Sequence, residues 1–390
     1  MKRIISLFTV LIMLLLSCTT VFAENDINIK AENNNVLGDV AAKSAVLMEA
    51  ETGDVIYAKN ECEAYSPASV TKIMTLLLAV ESLDSGSFAL TDKVKISSYA
   101  ASMGGSQVFL EENEEMCVEE LIKCAVIASA NDAAVALAEL VAGSEEAFVN
   151  KMNERAKSLG MKSSNFENVT GLDDTTTNHV TSALDIAIMS RELIKHEVIL
   201  KYSSLWQDTI RGGEFTLTNT NRLVRFYDGC NGLKTGSTDK AGYCVSATAK
   251  RGDMQLIAVV MGAETRDVRN DIARKLLDFG FATYSLYKQN ECELEETYVK
   301  RGVKNSVMLY EGDFTMLVKK SDLSKIEKVY AIPQSIYAEI SAGEEVGKVE
   351  YMLNGKKIGE ALIFVKENVE EITFIKLFCT VIGGIFAARK

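Results

Sequence analysis

Proline and histidine are nearly missing from this chain. Its 390 residues include two prolines, Pro67 and Pro333, and two histidines, His179 and His196. So few prolines exclude a proline-rich linker between domains. Two imidazoles, neither in a His-x-x-Glu-His pattern, are too few to suggest a zinc enzyme, and neither metal nor cofactor is expected. The eight cysteines form no Cys-x-x-Cys pair. Cleavage after Ala23 would leave Cys62, Cys117, Cys124, Cys230, Cys244, Cys292 and Cys379, an odd set expected to be mostly buried thiols rather than a disulfide framework. Positive charge is also in deficit. Lysine and arginine number 42 against 54 acidic residues, a net charge of -12, which argues against nucleic acid as a partner.

What is present reads in four stretches. Residues 1–23 carry Lys2 and Arg3, an apolar run from Ile4 to Leu16, and Val21-Phe22-Ala23 before Glu24, the pattern of a cleaved secretory signal. Leu16-Ser17-Cys18 fits a lipoprotein site poorly, because leucine before the serine is unsuited to it. Residues 24–42 form a polar lead-in, and residues 43–288 a larger domain that holds the chemistry-bearing motifs described below. That domain opens with a hairpin, Ala45 to Glu49 and Val55 to Ala58, turns helical from Thr71 to about residue 200, and returns to strands at Cys230–Gly236, Gly242–Ala249 and Met254–Met261. A helix from Asp271 to Tyr284 closes it, giving an α/β layered domain interrupted by a helical insertion. Residues 290–368, with an Asn354-Gly355 turn, read as a small all-β domain. Residues 370–390 end the chain in an apolar helix whose weakly polar stripe is Thr373, Lys376, Thr380, Gly383 and Ala387. Such a helix suits a membrane interface better than a full crossing.

Three short motifs carry the chemistry. In Ser66-Pro67-Ala68-Ser69-Val70-Thr71-Lys72, Ser66 is expected to cap a helix and Pro67 to occupy its first position. Ser69 and Lys72 then share one helix face. A hydroxyl is a weak nucleophile until a base takes its proton, and lysine is a base only when burial or a second cation keeps it neutral. The positive helix N-terminus acts in the same direction. Two other Ser-x-x-Lys matches, at Ser237 and Ser285, do not open helices. Ser129-Ala130-Asn131 lies between helical stretches and could present a serine and an asparagine in a rigid turn, although taken by itself the triplet reads more readily as plain helix caps, with Asn131 or Asp132 in that role. Lys234-Thr235-Gly236 on a strand edge would offer a cation and a hydroxyl to a carboxylate, with glycine admitting a ligand backbone, or could be a simple strand end.

The order Ser-x-x-Lys, Ser-x-Asn, Lys-Thr-Gly is more specific than any part of it. With Asn168-Val169-Thr170-Gly171-Leu172, Asn219-Thr220-Asn221-Arg222-Leu223, Gly232 to Thr238 with Ala241-Gly242-Tyr243, and Leu276 to Phe281, the chain resembles the penicillin-binding proteins of the D-alanyl-D-alanine carboxypeptidase type. The resemblance implies a β-lactamase/transpeptidase-like catalytic domain, an antiparallel sheet flanked by helices with a helical insertion, followed by a small all-β domain. It implies that Ser69 attacks the bond between the last two D-alanines of a peptidoglycan stem peptide, Lys72 takes its proton and Ser129 passes one to the leaving D-alanine. Asn131 would bind the substrate amide, Lys234 would keep Lys72 neutral, and Thr235 and Arg269 would meet the terminal carboxylate. Gly236 would line the substrate strand, and the N–H groups of Ser69 and Ser237 would form the oxyanion hole. Stem peptides and β-lactams are the implied partners, and an exported enzyme anchored on the outer face of the cytoplasmic membrane is the implied setting. Ser237 and Val169 depart from the family's more usual residues without removing a catalytic group. Two alternatives remain at this level, a β-lactamase and a non-catalytic wall-binding scaffold. The one Glu-x-x-Leu-Asn match that a deacylating glutamate would need begins at Glu350, in the β-rich region.

Overall fold

The computed structural model describes residue 38, residues 40–174 and residues 176–378. The expected signal segment, most of the lead-in, Cys379 and most of the apolar tail lie outside these residues.

Five antiparallel strands make the central sheet: β1 (Ser44–Glu49), β2 (Val55–Lys59), β3 (Cys230–Thr238), β4 (Gly242–Arg251) and β5 (Met254–Ala263), in the order β2-β1-β5-β4-β3. Alternation sorts their side chains onto two faces. In β1, Val46 and Met48 enter one core while Ala45 and Leu47 enter the other, and in β5 Ile257, Val259 and Met261 are divided in the same way from Leu256, Ala258 and Val260. Both faces are thus covered, which is why the strands read as near-continuous apolar runs.

One face packs on a helical lobe that contains α1 (Lys72–Asp84), α2 (Val118–Ile127), α3 (Asn131–Ala142) and α4 (Ala183–Leu193). Ile73, Met74, Leu76, Leu77, Ala79 and Val80 of α1 are fully buried, so this helix runs through the core and fixes the residues at its start. The other face packs on α5 (Arg266–Thr283), which begins earlier than the apolar spacing suggested because Thr265 Oγ1 accepts the Val268 N–H and caps it.

Eight further strands follow: β6 (Tyr284–Gln289), β7 (Cys292–Lys300), β8 (Ser306–Glu311), β9 (Phe314–Lys319), β10 (Ile326–Ala331), β11 (Ser335–Tyr337), β12 (Glu345–Leu353) and β13 (Lys356–Val365). Six of them form a sheet in the order β10-β12-β13-β8-β7-β11, and β6 pairs with β9. Asn354 and Gly355 both take positive φ, 51° and 77°, which makes the tight β12–β13 hairpin that this dipeptide favours. Inside the β-rich domain the buried Glu311 carboxylate accepts from Lys328 Nζ at 3.0 Å and from the Tyr351 hydroxyl.

The cysteines differ from expectation. Cys124, Cys230 and Cys244 are buried, but Cys117 and Cys292 are half-buried and Cys62 is exposed; all six are free.

Candidate active site

The nucleophile stands on a tighter turn than the sequence suggested. Residues Ala68–Thr71 form a 3-10 turn, and the α-helix begins at Lys72. Ser66 is not the cap: its Oγ is buried without a hydrogen-bond partner, two residues ahead of a turn that starts at Ala68 with φ of 49°. That backbone region is unfavourable for alanine and must be held from outside. Thr71 does so, its Oγ1 donating to the Ala68 carbonyl at 2.8 Å, while the His179 ring nitrogen Nε2 lies 2.7 Å from the same Thr71 oxygen. The Glu167 N–H donates to His179 Nδ1 at 3.0 Å, so the ring proton sits on Nε2 and points at Thr71. Burial holds this imidazole neutral, its pKa lowered to about 4.

Lys72 is wholly buried. Its Nζ lies 3.1 Å from Ser69 Oγ, 2.5 Å from Asn131 Oδ1 and 2.9 Å from the Thr170 carbonyl. A neutral amine has two N–H groups and one lone pair. With the two N–H groups donated to the carbonyl oxygens of Asn131 and Thr170, the lone pair is left facing the Ser69 hydroxyl. Burial first, and the Lys234 charge second, hold the Lys72 pKa well below its ordinary value of 10.5. Ser69 is the one half-exposed residue between buried Ala68 and Val70, so its oxygen faces solvent.

Thr170 is placed by an Asx turn. Asn168 Oδ1 accepts the N–H groups of Thr170 and Gly171, at 3.2 and 2.7 Å. Gly171 has φ of 83°, and a Cβ there would lie 1.8 Å from the Ala68 carbonyl oxygen. Only glycine fits.

Ser129 lies between α2 and α3 with φ of 63°, and Lys234 Nζ donates to its Oγ at 2.7 Å. Neither Asn131 nor Asp132 caps α3, whose cap position is Ala130. The Asp132 carboxylate instead accepts the N–H groups of Val108 and Leu110, at 3.0 and 3.1 Å, and anchors the loop in front of the site. Asn131, expected to meet the substrate, has Oδ1 committed to Lys72 and Nδ2 donating to the Gly104 carbonyl at 2.7 Å. Its Oδ1 orients the base, and its second Nδ2 N–H is left uncommitted.

Lys234 is buried on β3 and donates also to the Thr235 carbonyl at 2.9 Å. Burial, then the Arg269 charge, lower its pKa to about 7. Gly236 is small for a reason the sequence did not show. A Cβ there would come 2.8 Å from the Pro67 carbonyl oxygen and from the Ser69 nitrogen, so its bareness lets β3 close onto the nucleophile's turn. That contact makes the Ser69 N–H and the following residue, exposed Ser237, neighbours.

These residues border a cleft of about 610 Å³ that includes Ser69, Ser129, Thr235, Gly236, Ser237 and Arg269. Thr235 Oγ1 donates to Thr220 Oγ1 at 2.8 Å. Buried Arg269 donates Nε and Nη2 to Asn270 Oδ1 and Nη1 to the Cys244 carbonyl, which leaves two N–H groups uncommitted. Burial and then Arg266 lower its pKa to about 10. A larger cavity of about 870 Å³, where α5 meets β6, contains none of this chemistry. The sequence reading missed the Thr170 carbonyl, His179 and the cleft's other arginines. The Asx-turn residues of Asn168-Val169-Thr170-Gly171 were the one available signal.

Residues 28–265 match the family described as D-alanyl-D-alanine carboxypeptidase, and residues 281–371 the penicillin-binding protein 5 C-terminal domain. D-alanyl-D-alanine carboxypeptidase DacF of Bacillus subtilis (strain 168) is 44% identical over 387 residues, which covers 96% of this chain and 97% of that protein. Penicillin binding protein 5 of Haemophilus influenzae superposes with a TM-score of 0.76 at 34% identity, over 85% of this chain and 98% of that one. Penicillin-binding protein D2 of Listeria monocytogenes, solved in an ampicillin-bound form, superposes at 0.57 with 31% identity, over 62% of this chain and 98% of that one.

Proposed function

The chain belongs to the D-alanyl-D-alanine carboxypeptidase family of serine hydrolases, and we propose that it removes the terminal D-alanine of peptidoglycan stem pentapeptides through an acyl-enzyme on Ser69. The observation that carries the residue assignment is the Lys72 amine, wholly buried, held by two carbonyl oxygens and 3.1 Å from Ser69 Oγ.

Ser69 Oγ attacks the carbonyl carbon between the last two D-alanines as its proton passes to Lys72. The N–H groups of Ser69 and Ser237 receive the oxyanion. Ser129, oriented by Lys234, delivers the proton from Lys72 to the leaving nitrogen, the C–N bond breaks, and D-alanine departs. Water then enters, Lys72 accepts its proton, and the ester is cleaved to a shortened peptide and free Ser69. Lys234 lowers the proton affinity of Lys72, and with Thr235 and the two free N–H groups of Arg269 it receives the terminal carboxylate. Asn131 and the Thr170 carbonyl fix the orientation of the Lys72 amine. β-Lactams acylate the same hydroxyl and leave slowly.

A β-lactamase is disfavoured by position. Glu350 lies on β12 in the C-terminal sheet, where Lys348 and Lys357 pair with it at 3.2 and 3.1 Å, far from any deacylating role at Ser69. Export, and attachment to the outer face of the cytoplasmic membrane by the C-terminal tail, belong to the same proposal. Phe374, Ile375, Leu377 and Phe378, at the start of that tail, expose their apolar side chains to solvent. Among the described residues no helix is long and apolar enough to cross a membrane.

The direct test incubates the purified enzyme with a pentapeptide ending in D-Ala-D-Ala. Release of D-alanine that disappears in Ser69→Ala supports the assignment. Rapid penicillin turnover without D-alanine release would mark a β-lactamase, and absence of covalent labelling would mark a scaffold.

A further inference from the structure

The two oxygens that hold the Lys72 amine depend on segments far apart in the chain. Asn131 is braced by one of them, its Nδ2 donating to the Gly104 carbonyl and its N–H to the Ser106 carbonyl, each at 2.7 Å. Thr170 belongs to the other. The Asx turn sets the shape of residues 168–172, but its hydrogen bonds run inside that segment and do not place it against α1.

Two bonds of Val169 do. Thr75 Oγ1, one turn beyond Lys72 on α1, donates to the Val169 carbonyl at 2.7 Å, and the Val169 N–H donates to Glu145 Oε1 at 3.0 Å. Glu145 opens the helix Glu145–Ser158, whose positive end favours a carboxylate. Its other oxygen accepts the Tyr99 hydroxyl. That bond first, and burial second, push the Tyr99 pKa up to about 12, so the phenol keeps its proton and donates. Tyr99 belongs to the short helix Ser98–Ala101, just ahead of Gly104. One carboxylate therefore joins the segment that braces Asn131 to the segment that carries Thr170. It does so away from the substrate: Glu145 lines a separate hollow of about 470 Å³ with Tyr99 and Glu167, which shares no lining residue with the catalytic cleft.

Resting on the carboxypeptidase reading above, we infer that Glu145 is a positioning residue for the general base, holding the Asn131 and Thr170 oxygens in register so that the Lys72 lone pair stays on Ser69. Both of its ties come from donors, and a carboxylate, with two acceptor oxygens and no hydrogen, accepts both at once. Lys72 serves acylation and deacylation alike, so both steps depend on the tie. Substrate binding does not, because Lys234, Thr235 and Arg269 lie on other elements.

The test follows benzylpenicillin acylation by rapid quench over a range of concentrations, which separates the acylation rate constant from the binding constant, and measures deacylation and the fraction of enzyme labelled at saturation. Glu145→Ala is expected to slow acylation and deacylation about tenfold each, with binding and the labelled fraction unchanged. Glu145→Gln, which keeps an acceptor for Val169, should recover to within about threefold of wild type. Tyr99→Phe, which removes one tie, should lose about threefold, and Glu146→Ala, at the exposed neighbouring position, should match wild type. A purely structural role would lower the labelled fraction and leave the rate constant of the labelled enzyme alone. That result, or a wild-type acylation rate constant in Glu145→Ala, would overturn the inference while the carboxypeptidase reading stands. Should Glu145→Ala fail to fold, wild-type rate constants in both Glu145→Gln and Tyr99→Phe would overturn it. Wild-type enzyme that takes no label and releases no D-alanine would overturn the reading on which it rests.

Discussion

Two lysines in one site have opposite tasks. Lys72 must be neutral to accept a proton, and Lys234 must be charged to keep it so and to receive a carboxylate. Burial lowers both, and each also feels a second cation, Lys234 for Lys72 and Arg269 for Lys234. The acid limb of the pH–rate profile therefore belongs to Lys72 and should lie well below 10.5. A bound substrate carboxylate favours charged Lys234, so the alkaline limb of kcat is expected at higher pH than that of kcat/KM. Coincident limbs in steady-state profiles would contradict this. The same burial costs stability. Below 10.5 the unfolded chain binds a proton that folded Lys234 resists down to about 7, so wild-type stability rises with pH across that interval. Lys234→Met removes the charge but strands the oxygens that Lys234 met. The variant should be inactive yet more stable by about 1–2 kcal/mol near neutral pH, an advantage that fades by about pH 10 when urea midpoints are compared.

At the scale of elements, the site is where a 3-10 turn, a strand and an Asx turn meet. The hairpin, the three-stranded run after residue 230 and the buried α1 were legible because alternation and helical spacing are local signals. The contacts that build the site were not, because they join residues far apart in sequence. Gly236 read as room for a ligand, and it is also room for the backbone of Pro67 and Ser69. Asn131 read as a substrate contact; its Oδ1 is engaged by Lys72 and one Nδ2 N–H by the Gly104 carbonyl, which leaves the other N–H. Gly236→Ala should therefore push β3 off the nucleophile's turn, with a loss of about 1–3 kcal/mol in urea titration and a fall in penicillin acylation of at least about tenfold. Unchanged acylation would show that the strand does not position Ser69. His179→Leu removes the proton that reaches Thr71, while His179→Gln retains a donor. Acylation is expected to fall by about tenfold in the first and to recover in part in the second, with far-UV circular dichroism unchanged in both. Because folded His179 resists protonation to about 4 against an ordinary 6.5, the unfolded chain gains the proton first, and stability should decline as pH falls through that range.

At the scale of the whole molecule, a serine hydrolase domain is joined to a β-rich domain. The change from α/β to all-β pattern was readable after residue 290, but the pairing of β6 with β9, which ties the closing helix α5 into the second domain, was not. Sheet partners are chosen by long-range packing rather than by the strand's own residues. The exposed Phe374, Ile375, Leu377 and Phe378 extend from the end of that domain. Full-length protein should sediment with membranes and a truncation at residue 370 should not, with equal kcat on a soluble pentapeptide; equal partitioning of the two would remove the anchor. The central claim is that one hydroxyl, Ser69, becomes acylated. Peptide mapping by mass spectrometry after brief exposure to benzylpenicillin tests it most directly. The account predicts the penicilloyl mass on the peptide containing Ser69 and its absence in Ser69→Ala; the adduct on any other residue, or its persistence in that variant, would contradict it.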